Sequence, residues 1–363
     1  MKAYLIKPLS QIHIGYALAD REGTELFPRS DTLAAAIAIC WSQIFEETPE
    51  EIFRNPPFRV SSAMPWVKTD DEIRLFLPMR KDVDFKEIED SLKLRAKVLK
   101  KIEWVEDSYW HKMFESKKFP LADEDKDELL RKKEQIESEG KSARSEIERF
   151  FKEKFLAGNM LVKKVRRGKY FAVETNQRVT VNRLSPVSET FFFNEAYFSD
   201  KAGFWILADF DDNSAENKFR AALELLGDTG IGADRNYGKR LIKIEKILSD
   251  DQIGLPRKDD ADKTLLLSLW APTLDEKDAV LNDSSCWELL MRGGWIAPGR
   301  GVSAMRKPIW MFAEGSVIAG NVEGHAPDVT PPGLEVKVGH KVYRWGYALG
   351  VKTVSYTHLT LPT

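Results

Sequence analysis

The sequence predicts an α+β fold in two units, and three observations carry that reading. First, 363 residues are too many for one small core. Second, runs with the two-residue period of half-buried strands alternate with runs at helical spacing between Tyr4 and Glu245. Third, Ser249-Asp-Asp-Gln-Ile-Gly-Leu-Pro-Arg-Lys-Asp-Asp-Ala-Asp262 is polar and proline-bearing, and a shorter strand-rich part follows it. The expected boundaries are therefore 1–248, a linker at 249–262, and 263–353.

In the first unit, Tyr4 and Ile6 alternate with Leu5 and Lys7, a strand expected to continue past Pro8 to about Ala17 with His13 inside it. Ser30 or Asp31 is expected to cap a helix whose buried stripe is Leu33, Ile37, Trp41 and Ile44. Two strand-like runs follow, Phe58 to Trp66 and Ile73 to Leu77. From about 82 to 158 the character changes to helical: Ile88, Leu92, Leu99 and Ile102 share one face, and Leu129, Ile136, Ala143, Ile147 and Phe150 recur after Pro120. Mixed acids and bases on the outer faces read as a solvated helical hairpin inserted into the first unit. Further strands are expected at Thr190–Glu195 and Gly203–Ala208. Ser214 is expected to cap a second helix with Phe219, Ala222, Leu223 and Leu226 on its apolar face, ending near Gly227. Ile242 and Ile244 mark the closing strand.

Between that helix and strand lies Gly227-Asp-Thr-Gly230-Ile-Gly232-Ala-Asp-Arg235-Asn236-Tyr237-Gly238-Lys239-Arg240. The glycines allow positive φ and close approach by a ligand. It is not a dinucleotide fingerprint, because Arg235 occupies the third glycine position and the glycines follow a helix rather than a strand. Nor is it a Walker A loop, since five residues separate Gly232 from Gly238 and Arg240 follows Lys239. Cations, an amide and a flat ring suit an RNA strand; a glycine-rich turn with solvated charges is the alternative.

A second basic stretch with aromatic interleaving, Lys163-Lys164-Val-Arg166-Arg167-Gly168-Lys169-Tyr170, is followed by Arg178 and Arg183. It offers charge for phosphates and rings for bases, or else a lysine-rich hairpin edge that blocks aggregation. Gly168 is expected to turn the chain at its tip. The net charge is −2, so any nucleic-acid surface must be a local patch. With the inserts left out, the first unit reads strand, helix, strand, strand, helix, loop, strand. That is the ferredoxin-like order shared with RNA-recognition (RRM-like) modules. The aromatic signature of an ordinary RNA-recognition motif is absent, which moves the expected RNA surface to the loops.

In the second unit, strands are expected at Leu265–Trp270, Trp287–Ile296, Lys307–Ser316 and Lys341–Leu349, with a helical stretch through Asp275–Leu281. Val354–Thr363 continues no pattern and reads as a non-native tail, with a true strand or a disordered tail as the alternatives. Two cysteines, Cys40 and Cys286, lie far apart in apolar company, as expected of a reducing cytoplasm. The longest apolar run, Leu33 to Trp41, is too short to span a bilayer, so no membrane role is expected. The five histidines are scattered without metal-ligand spacing, and no metal or cofactor is expected. His13 is the one enzymatic candidate, as a general acid/base; a contact to RNA or a satisfied core position is the other reading.

Ile12-His13-Ile14-Gly15, Ser30-Asp31-Thr32-Leu33, Arg183 ahead of a phenylalanine-rich strand, and Gly230-Ile-Gly232-Ala-Asp-Arg235-Asn-Tyr-Gly238-Lys239 together resemble the RAMP superfamily of CRISPR proteins. The later series narrows this: Arg292-Gly293-Gly294, Arg306-Lys307-Pro308, Glu314-Gly-Ser-Val317 and Tyr343-Arg-Trp-Gly-Tyr347 resemble the fourth Csm subunit of type III-A effector complexes. Ala233 stands where that family often has glycine, and Arg344-Trp345 where Arg-Tyr is frequent. The resemblance implies two ferredoxin-like domains and a non-catalytic subunit. Such a subunit holds the 5′ repeat-derived tag of crRNA and joins the large polymerase-type subunit to the first backbone Csm subunit. It also implies the alternative found among RAMP relatives, a metal-independent crRNA-processing endoribonuclease using His13. The residues expected at RNA are His13, Lys163, Lys164, Arg166, Arg167, Lys169, Tyr170, Arg183, Gly230, Gly232, Arg235, Asn236, Tyr237, Gly238, Lys239 and Arg240, joined by Arg292 and Lys307.

Overall fold

The computed structural model describes residues 1–15, 24–70, 72–139, 143–181, 188–232, 240–255, 261–296, 304–335 and 340–353. The first unit begins with β1 (Lys2–Pro8), α1 (Ser30–Ile44), α2 (Pro49–Arg54), β2 (Phe58–Val60), β3 (Met64–Lys68) and β4 (Ile73–Pro78). Next come α3 (Lys86–Leu92), α4 (Ala96–Leu99), β5 (Trp104–Glu106), α5 (Trp110–Glu115), α6 (Asp123–Ser138), α7 (Ala143–Phe155), β6 (Leu156–Ala157) and β7 (Met160–Leu161). A long hairpin of β8 (Phe171–Val181) and β9 (Ser188–Phe198) leads to β10 (Ala202–Phe210), α8 (Asn213–Thr229), β11 (Ile242–Ser249) and α9 (Asp250–Ile253). The second unit holds β12 (Lys263–Leu266), α10 (Lys277–Leu281), β13 (Leu289–Arg292), β14 (Trp295–Ile296), β15 (Ala304–Met305), β16 (Ile309–Phe312), β17 (Val317–Ala319) and β18 (Gly350–Thr353).

The main sheet has the order β11-β1-β10-β3-β4-β5-β7-β6, with β2 also on β10. Its centre, β11-β1-β10-β3, is antiparallel throughout. With β2 and β3 as one broken strand, this is the fourth-first-third-second order of a ferredoxin-like βαββαβ unit. The third strand is β10, not the 73–78 run next in sequence, which sits beyond β3 as an outer strand. Both faces of the centre are covered. Tyr4, Ile6, Phe204 and Ile206 pack on α1 and α8, while Leu5, Trp205 and Leu207 join a core that reaches the insertion and Leu265, Leu267 and Val317 of the second unit. A two-sided environment explains why β1 and β10 read almost continuously apolar.

The second unit repeats the strand order. β18-β12-β17 form a sheet, and bridges Trp270↔Phe312 and Cys286↔Val317 tie it to the β13–β16 ribbon. With β16 and β17 as one interrupted strand, the order is again fourth-first-third-second. A long arm touching itself at Gly324↔Tyr347 and Asp328↔Tyr343 connects β17 to β18. The expected strand over 341–349 is this arm, and the true closing strand is β18.

Other expectations change in detail. The first strand ends at Pro8; from there to Gly15 the described residues make the single bridges Ile12↔Ala196 and Gly15↔Thr24, so His13 is not in a regular strand. Arg29, not Ser30 or Asp31, stands at the N-cap of α1, and Ile44 is exposed. Asp212 caps α8 in place of Ser214, accepting from the Ala215 N–H at 2.7 Å, and Gly230 with φ 79° ends the helix in place of Gly227. The face from Ile88 to Ile102 is split between α3 and α4 by Lys93 at φ 56°. The insertion is also more than a solvated hairpin, because β5, β7 and β6 extend the main sheet. Residues 354–363 lie outside the described residues. Among the described residues no helix is long and apolar enough to cross a membrane.

Candidate nucleic-acid interface

Where β1 ends, Pro8 has no N–H to continue a ladder. The chain then runs irregularly through residues 9–15, held on both sides by segments far away in sequence. On one side Leu9 N–H donates to Leu241 O at 2.9 Å, and the Ser10 hydroxyl accepts from the N–H groups of Arg240 and Leu241. On the other side Ile12 and Ala196 exchange both backbone bonds, at 3.0 and 2.7 Å. Residues 9–15 thus lie between the feet of the glycine loop and the root of the β8–β9 hairpin.

The glycine feet need their residue type. Gly232 has φ 103°, and a Cβ there would sit 2.3 Å from His13 O. Gly230 turns out of α8, and Ile231 N–H closes the loop on Arg240 O at 3.2 Å. Arg240 itself has φ 79° and is fully buried, so it is a foot of the loop inside the fold and not the exposed phosphate contact expected of it. Arg235, Asn236, Tyr237, Gly238 and Lys239 lie outside the described residues, as does Arg183.

His13 is buried, and its Nδ1 lies 2.7 Å from Asn194 O in β9. A carbonyl only accepts, so this contact puts the ring proton on Nδ1. The histidine thereby fastens the hairpin root to the segment carrying it. Sequence spacing gives no hint of this, since the partner is 181 residues away.

The basic stretch is the lead-in to the hairpin, not a hairpin turning at Gly168. Its shape is set by a group missed at the sequence level. The fully buried Glu106 carboxylate accepts from the N–H groups of Lys163, Lys164 and Val165 at 3.0–3.2 Å, an anion held by successive amides. Lys163 is drawn back onto Glu124 and Asp125, and Lys164 onto Glu72 at 3.2 Å. Tyr170 donates to Arg166 O at 2.7 Å and lies against Gly168, leaving it half-buried. Arg166, Arg167 and Lys169 stay exposed. The hairpin then runs in unbroken register from Phe171↔Phe198 to Val181↔Ser188.

Arg292 is elsewhere. It donates to both Asp31 oxygens at 2.9–3.0 Å and to Glu25 at 2.8 Å, and only 5% of it is exposed. Arg344 also reaches Asp31, and donates to Gly293 O. Burial pushes the Asp31 carboxyl up, but the two guanidiniums outweigh that and hold it well below the usual carboxylate range. This cluster joins α1 to the second unit; with its donors taken up inside the protein, Arg292 does not enter the proposed interface. Lys307 is exposed on the second unit. Among the described residues no group of three His, Cys, Asp or Glu side chains is placed to hold a metal ion.

Residues 259–353 match the family described as CRISPR Csm4 C-terminal domain. The "CRISPR system Cms protein Csm4" of Thermococcus onnurineus (strain NA1) is 32% identical over 178 residues, 48% of this chain and 53% of that protein. The alignment therefore spans about half the length of the curated relative. A chain of the crystal structure of a Csm3-Csm4 subcomplex in the type III-A CRISPR-Cas interference complex superposes with TM-score 0.58 at 17% identity, covering 98% of this chain and 100% of that one. A chain of a Csm1-Csm4 cassette in complex with pppApA gives 0.51 at 18% identity, covering 97% of each. At such identities these likenesses show the fold.

Proposed function

We propose that this chain is a Csm4-type protein and a non-catalytic subunit of a type III-A interference complex. In this reading it grips the 5′ repeat-derived tag of crRNA and joins a large Csm1-type subunit to a Csm3-type backbone subunit. The observation that carries the reading is convergence. Residues 9–15, the feet of the glycine loop and the root of the hairpin meet at one end of the sheet, although they come from three distant parts of the chain. Arg166, Arg167 and Lys169 are exposed on the lead-in to the hairpin, and the sequence of the glycine loop adds the cations Arg235 and Lys239 and the ring of Tyr237. The similar folds seen in a Csm3-Csm4 subcomplex and a Csm1-Csm4 cassette support the placement between two protein partners.

The test is salt-dependent binding of single-stranded tag RNA. Each phosphate contact contributes a slope of roughly −0.7 in log affinity against log salt. Arg235→Ala with Lys239→Ala is expected to flatten the slope by about 1.4. An unchanged slope removes the loop from the RNA path. For His13, burial and the bond to a carbonyl favour holding the hairpin over cleavage. Incubation with repeat RNA is expected to give no metal-independent product; cleavage abolished by His13→Ala would establish the ribonuclease alternative instead.

A further inference from the structure

The insertion holds a cavity of about 370 Å³ that the site above does not use. Five cations line it: Arg95, Lys97, Lys101, Lys152 and Arg167. They come from α4 and its flanks, from α7, and from the basic stretch after β7, so the fold assembles them and local sequence does not. Val98 and Leu156 give it an apolar floor.

One carboxylate lies behind them. Glu148, 4% exposed, accepts from Arg95 Nε and Nη2 at 2.6 Å and from Lys152 Nζ at 2.7 Å. The hydrogen bond from Arg95 is the main reason its carboxyl falls to about 2. Among the described residues Lys97, Lys101 and Arg167 make no ion pair. Five positive charges against one negative leave an excess of about four in a chain whose net charge is −2. Like charges lining one cleft repel each other and focus a strong positive potential into it. A monovalent carboxylate would leave most of that excess in place, whereas the linked charges of phosphate groups match it. The volume lies within the range of small-molecule pockets.

We infer that this cavity binds phosphate groups, with Lys97, Lys101 and Arg167 as direct contacts and Glu148 fixing Arg95 and Lys152 around them. Two sources share that chemistry, an RNA strand and a free nucleotide. Arg167 belongs both to the cavity and to the stretch leading into the β8–β9 hairpin, so an RNA strand would reach it along the path proposed above. Only that RNA arm rests on the proposed function.

The experiment uses the full chain and the variant Lys97→Gln/Lys101→Gln. Both side chains are exposed, so an unchanged melting temperature is expected. In one arm a labelled single-stranded RNA is titrated across a salt series. In the other, ATP without magnesium is titrated by calorimetry. If RNA fills the cavity, the variant flattens the salt slope by roughly 1.4, from about 0.7 per phosphate contact. If a free nucleotide fills it, the wild type binds ATP saturably and the variant binds at least about tenfold more weakly, each tenfold being 1.4 kcal/mol. Lys246→Gln/Lys277→Gln, equal in charge and remote, is expected to change neither reading. The inference is overturned if the cavity variant behaves like this control in both arms. Flattening by Arg235→Ala/Lys239→Ala without any effect of the cavity variant would remove the cavity and leave the tag reading standing. The reverse result would leave the cavity and remove the tag reading.

Discussion

Asp31 and Gly232 show how much a single position can carry in this chain. Asp31 sits in the first turn of α1, where an acid near a helix N-terminus reads as ordinary. Its partners Arg292 and Arg344 are 261 and 313 residues away. Removing one member of a buried ion pair strands the others, at a cost of about 3–5 kcal/mol. Asp31→Ala is therefore expected to lower the urea unfolding free energy by about that much. A loss under about 1 kcal/mol would mean that water already screens the cluster. At Gly232 the cause is backbone geometry: a left-handed φ and a carbonyl where a methyl would go. Gly232→Ala is expected to cost about 1–3 kcal/mol from φ alone, and to weaken RNA binding because the loop feet must move off His13. Wild-type stability and affinity in that variant would show that the feet do not set the loop.

Among the elements, the β8–β9 hairpin stands out because it is long and, among the described residues, its packing lies at the root. Its root is packed: Phe171 and Phe198 meet edge to face at 5.5 Å, and Phe27 contacts both. Farther out, Val173, Val179 and Phe192 are about half exposed. A two-stranded ribbon without a covering layer contributes little to stability by itself. Replacing residues 176–193 with a two-residue turn is thus expected to leave the melting temperature nearly unchanged while RNA affinity falls at least tenfold. A large drop in melting temperature would instead make the outer hairpin part of the core. The sequence indicated β9 through its phenylalanines, but its pairing with β8 across the tip was not visible, since register depends on the partner strand as much as on either run.

At the scale of the whole molecule the two units share their cores. Trp345 of the second stacks on Phe58 of the first at 5.0 Å, Tyr347 donates to Phe53 O at 2.8 Å, and Leu269 N–H donates to the Ser30 hydroxyl at 2.9 Å. This coupling has a pH signature through Asp31. Its carboxyl is depressed in the folded state, so its contribution is complete above the ordinary value of about 3.9 and is lost as pH falls below it. Urea midpoints are expected to stay level from pH 7 to 5 and to fall from about pH 4 downward, with a shallower fall in Asp31→Asn. Equal acid slopes in the two proteins would place the acid sensitivity elsewhere.

The amino-acid sequence by itself determined what is local. The apolar stripe of α8, the alternation of β11, the glycine feet and the strand–helix order all follow from residue type and spacing, and these also carried the family resemblance. Only the tertiary structure decided which strand is central: β10 pairs with β1 after the whole insertion has intervened, and the 73–78 run moves outward. It likewise turned Arg240 and Arg292 inward, gave Glu106 the task of shaping the basic stretch, and gathered five cations around the insertion's cavity. The reason is physical. A period of 2 or 3.6 residues fixes which face of an element is apolar, but the partner that covers the face, and the carboxylate that claims a cation, are chosen by packing between segments whose separation along the chain leaves no mark on either one.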